Sequence, residues 1–363
     1  MSKIYKSIIN KIHNFDPTYY SKSRNYIDGN VSRLSPYISR GVISTKNVAE
    51  IILEKGYKKY QIEKFIQELA WRDYWQKVWQ LTLNIDTDLK NTQEKIYSNK
   101  FPYSVDNGLT DIKAVDKAIR DLKSIGYIHN HIRMYIASIC CNIGNYHWLN
   151  CAKWMYYHLI DGDWGSNALS WQWVAATNSH KKYYANQQNI NKYCHTNDKN
   201  TFLDKTYDEL IELNDIPKEL KKESLLNLKN FEFENTNLNI DQKIPTLIYT
   251  TYNLDPNWKK EIKANRILLL EPDHFNKYPI SKNVFEFIFK LSNEIEGLQI
   301  VTLNFEELIH IINDKSKVFY KEHPFSKHFV GNKEPRDWLF ENIEADGSFF
   351  KFWKKGIKEY KLI

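Results

Sequence analysis

GYIHNHIRM (Gly126–Met134) and HLIDGDWGSNALSWQW (His158–Trp173) stand at the two ends of one apolar run, and reading them decides the fold. The period-3.6 pattern over His129–Leu159 predicts a long helix. Asn130, Arg133 and Met134 stand three and four residues apart on it and so share one face. Beyond it, Asp161 and Asp163 flank Gly162, Asn167 follows four residues after Asp163, and Trp171 and Trp173 form a Trp-x-Trp pair. Taken singly, each feature has an ordinary structural role. Aspartate suits a helix start, where it caps the chain and complements the dipole. Arg133 and Asp161 can form a structural ion pair, and tryptophans fill cores. Together they point to a helical pocket that holds a large aromatic ligand.

A second cluster lies upstream in ELAWRDYW (Glu68–Trp75), where Glu68, Trp71 and Arg72 fall at i, i+3 and i+4 on one helix face. A carboxylate and a guanidinium beside an indole are costly to bury unless each charge finds a partner. The face is either a salt-bridged surface with Trp71 in the core, or a pocket wall on which an extruded base stacks.

The chain has 363 residues, enough for two domains, and 42% hydrophobic residues, as ordinary globular proteins have. Its 11 Trp and 24 Tyr are many for that length. They serve as core filling, stacking platforms or electron relays. The net charge of +7 is unevenly spread: residues 1–60 hold eleven Lys/Arg against four Asp/Glu, and residues 315–363 eleven against seven. Basic ends around a negative middle suit a polyanion, although biased Lys usage gives the same pattern. No signal peptide or membrane-length apolar window is visible, so an intracellular protein without membrane attachment is expected. Cys140, Cys141, Cys151 and Cys194 lack C-x-x-C spacing, so reduced thiols and no metal site are expected.

Apolar patterns over Val48–Ile52, Ile62–Leu81, Ala114–Leu122 and His129–Leu159 make residues 1–225 mainly helical. Asp111 and Asp161 stand where helices start, and Gly56 and Gly126 where they stop. One or two short acidic helices are expected in Tyr207–Lys222, and the Asn-rich stretch 226–243 reads as a linker. From Ile244, TLIYTTYNL, RILLLEP, LQIVTLNF and KSKVFYKEHP read as strands, with a helix at Val284–Ile295. The fold expected is thus mainly α, with a smaller C-terminal α/β domain over 244–363. No H-E-x-x-H, nucleophile elbow or phosphate-binding glycine loop is present, so cofactor chemistry is the natural option.

From about Tyr19 to Pro217 the chain resembles the helical FAD-binding domain of photolyases and cryptochromes, without gaps from Thr110 to Trp173. The resemblance implies FAD as cofactor. By position, Tyr19, Ser32, Leu34 and Ser35 match residues that hold its phosphates and ribityl chain, and Val31 replaces a common Thr. Arg133 and Asp161 match an ion pair over the flavin. Asp163 matches the acid at its ring edge, and Asn167 the residue facing its N5. Asn there is typical of photolyases.

The same resemblance implies that Glu68, Trp71, Arg72, Asn130, Met134 and Trp173 hold a cyclobutane pyrimidine dimer. The (6-4) relatives have His at the positions of Asn130 and Met134. His131 replaces a residue that is commonly Arg. Trp171 and Trp148 match the first two members of an electron chain; only Tyr97 and Tyr103 stand where the third is expected. The expected function is light-driven splitting of pyrimidine dimers in UV-damaged DNA by a monomeric photo-lyase, catalysed through Glu68, Asn167, Trp171 and Trp148. A cryptochrome-like light sensor without repair activity is the alternative. The family's α/β antenna domain usually precedes the flavin domain. Here an α/β segment follows instead, so an antenna chromophore is not implied.

Overall fold

The structure, a computed structural model, describes residues 2–230 and 236–360. Residues 231–235 of the stretch expected as a linker lie outside the described residues. The first helix, α1 (Lys3–Asn14), starts where Ser2 accepts a hydrogen bond from the Tyr5 backbone N–H, and it buries Ile8 and Ile12. α2 (Thr45–Glu54) opens on a capping box in which Ser44 and Asn47 satisfy each other's backbone N–H groups. α3 (Lys59–Leu81) buries Asp73, Gln76 and Lys77 as well as Ile62, Ile66 and Trp79. Such a helix must find partners for the polar groups it removes from water.

α4 (Lys113–Ile125) buries Val115, Ile119 and Leu122 and stops at Gly126. Gly126 has a φ of 71°, and a Cβ there would come within 2.6 Å of the Ile160 side chain, so both backbone and space require glycine. Asp111, expected at the start of this helix, takes a φ of 60° instead, and Asp116 accepts the Thr110 N–H at 2.7 Å.

The single helix expected over His129–Leu159 is two helices. α5 (Asn130–Ser138) loosens into a π turn over Ile139–Ile143, and α6 (Trp148–His158) starts afresh. The apolar pattern runs through the break, but the backbone does not. Asn145 takes a φ of 52°, and His147 accepts the Leu149 N–H to cap the new helix. α7 (Trp164–Val174) is capped by Asp163, and α8 (Gln187–Cys194) by Asn186. Asp161, also expected as a helix start, has a different role described below. Short helices follow at Tyr207–Ile211 and Lys218–Lys221.

Five parallel strands form the α/β layer: β1 (Thr246–Tyr249), β2 (Asn265–Leu269), β3 (Leu298–Val301), β4 (Val318–Lys321) and β5 (Asn332–Glu334). Their order is β3-β2-β1-β4-β5, with Ile248 opposite Ile267 on one side and Tyr320 on the other. β1 is buried at every position, as parallel strands covered on both faces are. Helices α9 (Lys282–Ser292) and α10 (Phe305–Ile312) accompany the sheet, and α11 (Phe349–Tyr360) follows it. Ile248, Ile267, Val301, Phe305, Leu308 and Val318 belong to its core.

By compactness the chain divides into two units, one made of residues 1–18, 32–81 and 229–363, the other of 19–31 and 82–228. Helices α1 to α3 therefore group with the sheet, and α4 to α8 form the second unit. Hydrogen bonds explain the first grouping. Leu254 donates its N–H to the Arg40 carbonyl at 2.9 Å, and the Asp73 carboxylate of α3 accepts from the Leu339 N–H at 2.7 Å. The architecture is mainly helical with a smaller parallel α/β layer, as expected. Among the described residues no helix is long and apolar enough to cross a membrane.

Candidate functional site

In the second unit, the first turn of α5 and the turn before α7 are joined by charge. Arg133 Nη2 lies 2.8 Å from Asp161 Oδ2, and the guanidinium also donates twice to the Ile128 carbonyl, at 3.1 and 3.0 Å. The Asp161 side chain is 2% exposed and that of Arg133 20%. A carboxylate so buried needs a cationic partner. Asp163, also buried, accepts the Ser166 N–H at 2.6 Å and thereby starts α7.

Helix α7 then carries Asn167 and Trp171 four and eight residues after Asp163, on the same face. Asn167 donates its amide N–H to the Ala152 carbonyl of α6 at 2.8 Å. That bond fixes the amide plane and leaves its oxygen as an acceptor. The Trp171 ring is buried, and its indole N–H has no hydrogen-bond partner. The neighbouring tryptophans differ. Trp148 donates to Asp88 at 2.6 Å, Trp154 to Asp106 at 3.0 Å and Trp164 to Asp86 at 2.8 Å. Gln93 also accepts the Trp148 backbone N–H at 3.0 Å. Sequence reasoning missed these acidic partners, although Asp86 and Asp88 in NIDTD offered a signal: acids in a loop close to a Trp-rich unit.

This donor and acceptor set fits a flavin. Its ring presents carbonyl oxygens, which Arg133 can meet as a donor, and an N–H, which the aspartates or the Asn167 oxygen can accept. An unpartnered buried N–H is also what a site made for a bound molecule leaves behind.

The other residues expected in this unit lie at varied depths. Asn130 is exposed at the first position of α5, Met134 is half-buried, and Trp173 is 37% exposed with its ring 5.9 Å from that of Tyr183. His131 shares a hydrogen bond with the Asn25 carbonyl at 2.9 Å, and burial pushes its imidazole below the usual range. Tyr19 is 65% exposed, in a short turn, whereas Tyr97 lies against Tyr146 at 5.7 Å.

In the first unit, Leu34 is buried while Ser32 and Ser35 are half-buried beside it. Glu68, Trp71 and Arg72 are all half-buried on α3. Glu68 pairs with Lys64 at 2.9 Å, one helical turn earlier. The Trp71 ring stacks on Phe349 of α11, with centroids 3.6 Å apart and planes inclined by 9°. The next turn of α3 is clamped to the chain around residue 340. Lys77 Nζ donates to the carbonyls of Phe340, Glu341 and Ile343 at 2.7, 3.0 and 2.7 Å. Asp73 takes the Leu339 N–H and the Thr45 hydroxyl, and burial nevertheless lifts its carboxyl to about 6. Neither Phe349 nor this clamp was legible beforehand, since nothing in FFKFWKK identifies the surface it covers.

Comparison with known proteins identifies the family. Residues 65–253, more than half of the chain, match the family model described as the FAD binding domain of DNA photolyase. The deoxyribodipyrimidine photo-lyase of Alkalihalophilus pseudofirmus is 30% identical over 194 residues, 51% of this chain and 39% of that protein. Its counterpart in Streptomyces griseus is 34% identical over 150 residues, 40% of this chain and 32% of that protein. The chain thus spans about two fifths or less of the length of these relatives. A class III photolyase from Agrobacterium tumefaciens superposes with a TM-score of 0.45 at 24% identity, over 52% of this chain and 42% of that one.

Proposed function

Since the chain belongs to the family of FAD-binding domains of DNA photolyases, with FAD as its cofactor, we propose that it splits cyclobutane pyrimidine dimers in UV-damaged DNA under light. The observation that carries this reading is the row on α7: Asp163, Asn167 and Trp171 on one face, the last with its indole N–H unpartnered. FAD, bound and reduced, would supply light-driven one-electron chemistry for opening the dimer.

The chain's own residues bind and orient. Arg133 and Asp161 fix the rim of the flavin site, and Asp163 accepts from the ring edge while holding the start of α7. Asn167 places its amide, locked by the Ala152 carbonyl, toward the flavin. Tyr19, Ser32, Leu34 and Ser35 are assigned to the phosphates and ribityl chain, and Trp171 and Trp148 to electron supply. On the substrate side, Glu68 hydrogen-bonds the dimer once it leaves Lys64, Trp71 packs on it and Arg72 reaches its polar edge. By the family resemblance, Asn130, Met134 and Trp173 are likewise assigned to substrate binding. Flipping the dimer out of the stack costs a few kcal/mol, less than for an intact step.

The second reading is a light sensor without repair, and one observation favours it: Phe349 covers a face of the Trp71 ring. The Glu68→Ala variant separates the two. Loss of dimer splitting with flavin retained supports the lyase; an unaltered light response in a protein that never repairs supports the sensor.

A further inference from the structure

The stack between Trp71 and Phe349 bears on how substrate is admitted, and the following rests on the assignment of Trp71 as a substrate platform. Two flat rings with centroids 3.6 Å apart and planes 9° from parallel are in full van der Waals contact. This is the arrangement that a nucleobase adopts on an aromatic platform. A base cannot take that face of the indole while the phenyl ring is on it. Phe349 is also well set in place: it is 3% exposed, and Tyr74 meets it edge-on at 5.6 Å. From the same helix turn as Trp71, the Tyr74 hydroxyl donates to the Gly347 carbonyl at 2.6 Å, just before α11.

We propose that Phe349 is an internal stand-in for the substrate base: it occupies the Trp71 platform in the free protein, and a flipped pyrimidine must displace it. The arrangement allows such an exchange. The clamp through Asp73 and Lys77 holds residues 339–343, and Phe352 and Trp353 of α11 pack on Phe340, so the exchange is a swing of the Phe349 side chain at the first position of α11 while the rest of the helix stays docked. Lys354 and Lys358 of α11 are exposed, and Lys351 and Lys355 pair with Asp346, so this helix offers DNA phosphates a modest positive surface beside the stack. In the free protein the phenyl ring keeps water from the indole face. In the complex the base takes over that contact, and binding strength is set by the difference between the two stacks.

The test is equilibrium binding, by fluorescence anisotropy in the dark, of a single-stranded oligonucleotide carrying one thymine cyclobutane dimer, with its undamaged twin as control. The proteins are the full chain, Phe349→Ala, Phe349→Leu, Trp71→Ala and the Trp71→Ala/Phe349→Ala double variant, each checked for bound flavin and cooperative thermal unfolding. Phe349→Ala is expected to bind the dimer roughly five- to tenfold more tightly, the size of one aromatic contact. Phe349→Leu, which keeps apolar volume without a flat ring, is expected to gain less. The double variant is expected to lose the gain. Unchanged or weaker binding by both Phe349 variants, with Trp71→Ala still impairing the wild type, overturns the proposal and makes Phe349 a supporting wall. Dimer binding untouched by Trp71→Ala overturns the platform assignment itself, and with it the proposal.

Discussion

Arg133 and Asp161 lie 28 residues apart in the chain and meet at 2.8 Å, Nη2 to Oδ2, so that the first turn of α5 is bound to the turn preceding α7. The pair is valuable because it is asymmetric. Asp161 is almost wholly out of water, while Arg133 keeps some contact with it. Removing the arginine takes the cationic partner from a buried carboxylate, whereas removing the aspartate leaves a guanidinium that still reaches the Ile128 carbonyl.

Arg133→Ala is therefore expected to cost more than Asp161→Ala. The estimate is about 3 kcal/mol against about 2 kcal/mol, below the fully buried range because Arg133 is partly solvated. Urea unfolding followed by circular dichroism measures both. Each variant should also retain less FAD after gel filtration, read from the ratio of flavin to protein absorbance.

Lys77 holds three carbonyl oxygens at once. Lys77→Met keeps the apolar stem but leaves those acceptors without their charged donor, at roughly 2–3 kcal/mol. The loss should appear as a lower urea midpoint with an unchanged slope. A midpoint equal to that of the wild type would show that water replaces the ammonium at no cost.

Asp73 gives a pH signature. Burial raises its carboxyl from 3.8 to about 6, so the folded protein binds more protons than the unfolded chain between those values. Its contribution favours folding most at low pH and is lost as pH rises from about 4 to about 6. Asp73→Asn should remove that component, and the difference in stability between the two proteins should change across the same window. A difference that stays constant with pH would mean the carboxyl titrates normally.

Trp148 and Trp171 are distinguished by their indole N–H groups, one bound to Asp88 and the other unpartnered. Trp171→Phe and Trp148→Phe should each slow blue-light reduction of the bound flavin in the presence of an external thiol by at least an order of magnitude. Flavin content should stay near normal. Bleaching at the wild-type rate in either variant would remove that residue from the electron path.

Much of the fold could be read from local chemistry. TLIY and ILLL announced buried strands, because a strand covered on both faces reads as a continuous apolar run. β5, by contrast, is Asn332–Glu334, mostly exposed at the sheet edge, and a polar triplet carries no strand signal. The break between α5 and α6 was hidden because its apolar spacing continues through Gly144 and Asn145. The shared helix faces of Asn130, Arg133 and Met134 and of Asn167 and Trp171 were legible because helical spacing is a local rule. Asp88, Lys77 and Phe349 were not. Their partners lie 60 residues away for Asp88 and more than 260 for Lys77, and no local rule reports such a contact.

The central claim is the chemistry, and it can be tested in one reaction. Purified, reduced protein is mixed with an oligonucleotide bearing a single thymine cyclobutane dimer, exposed to blue light or kept dark, and the strand is resolved by chromatography. The account predicts intact thymines in the illuminated sample alone. A yellow, FAD-bound protein that leaves the dimer untouched in the light would contradict it and give first place to the light sensor.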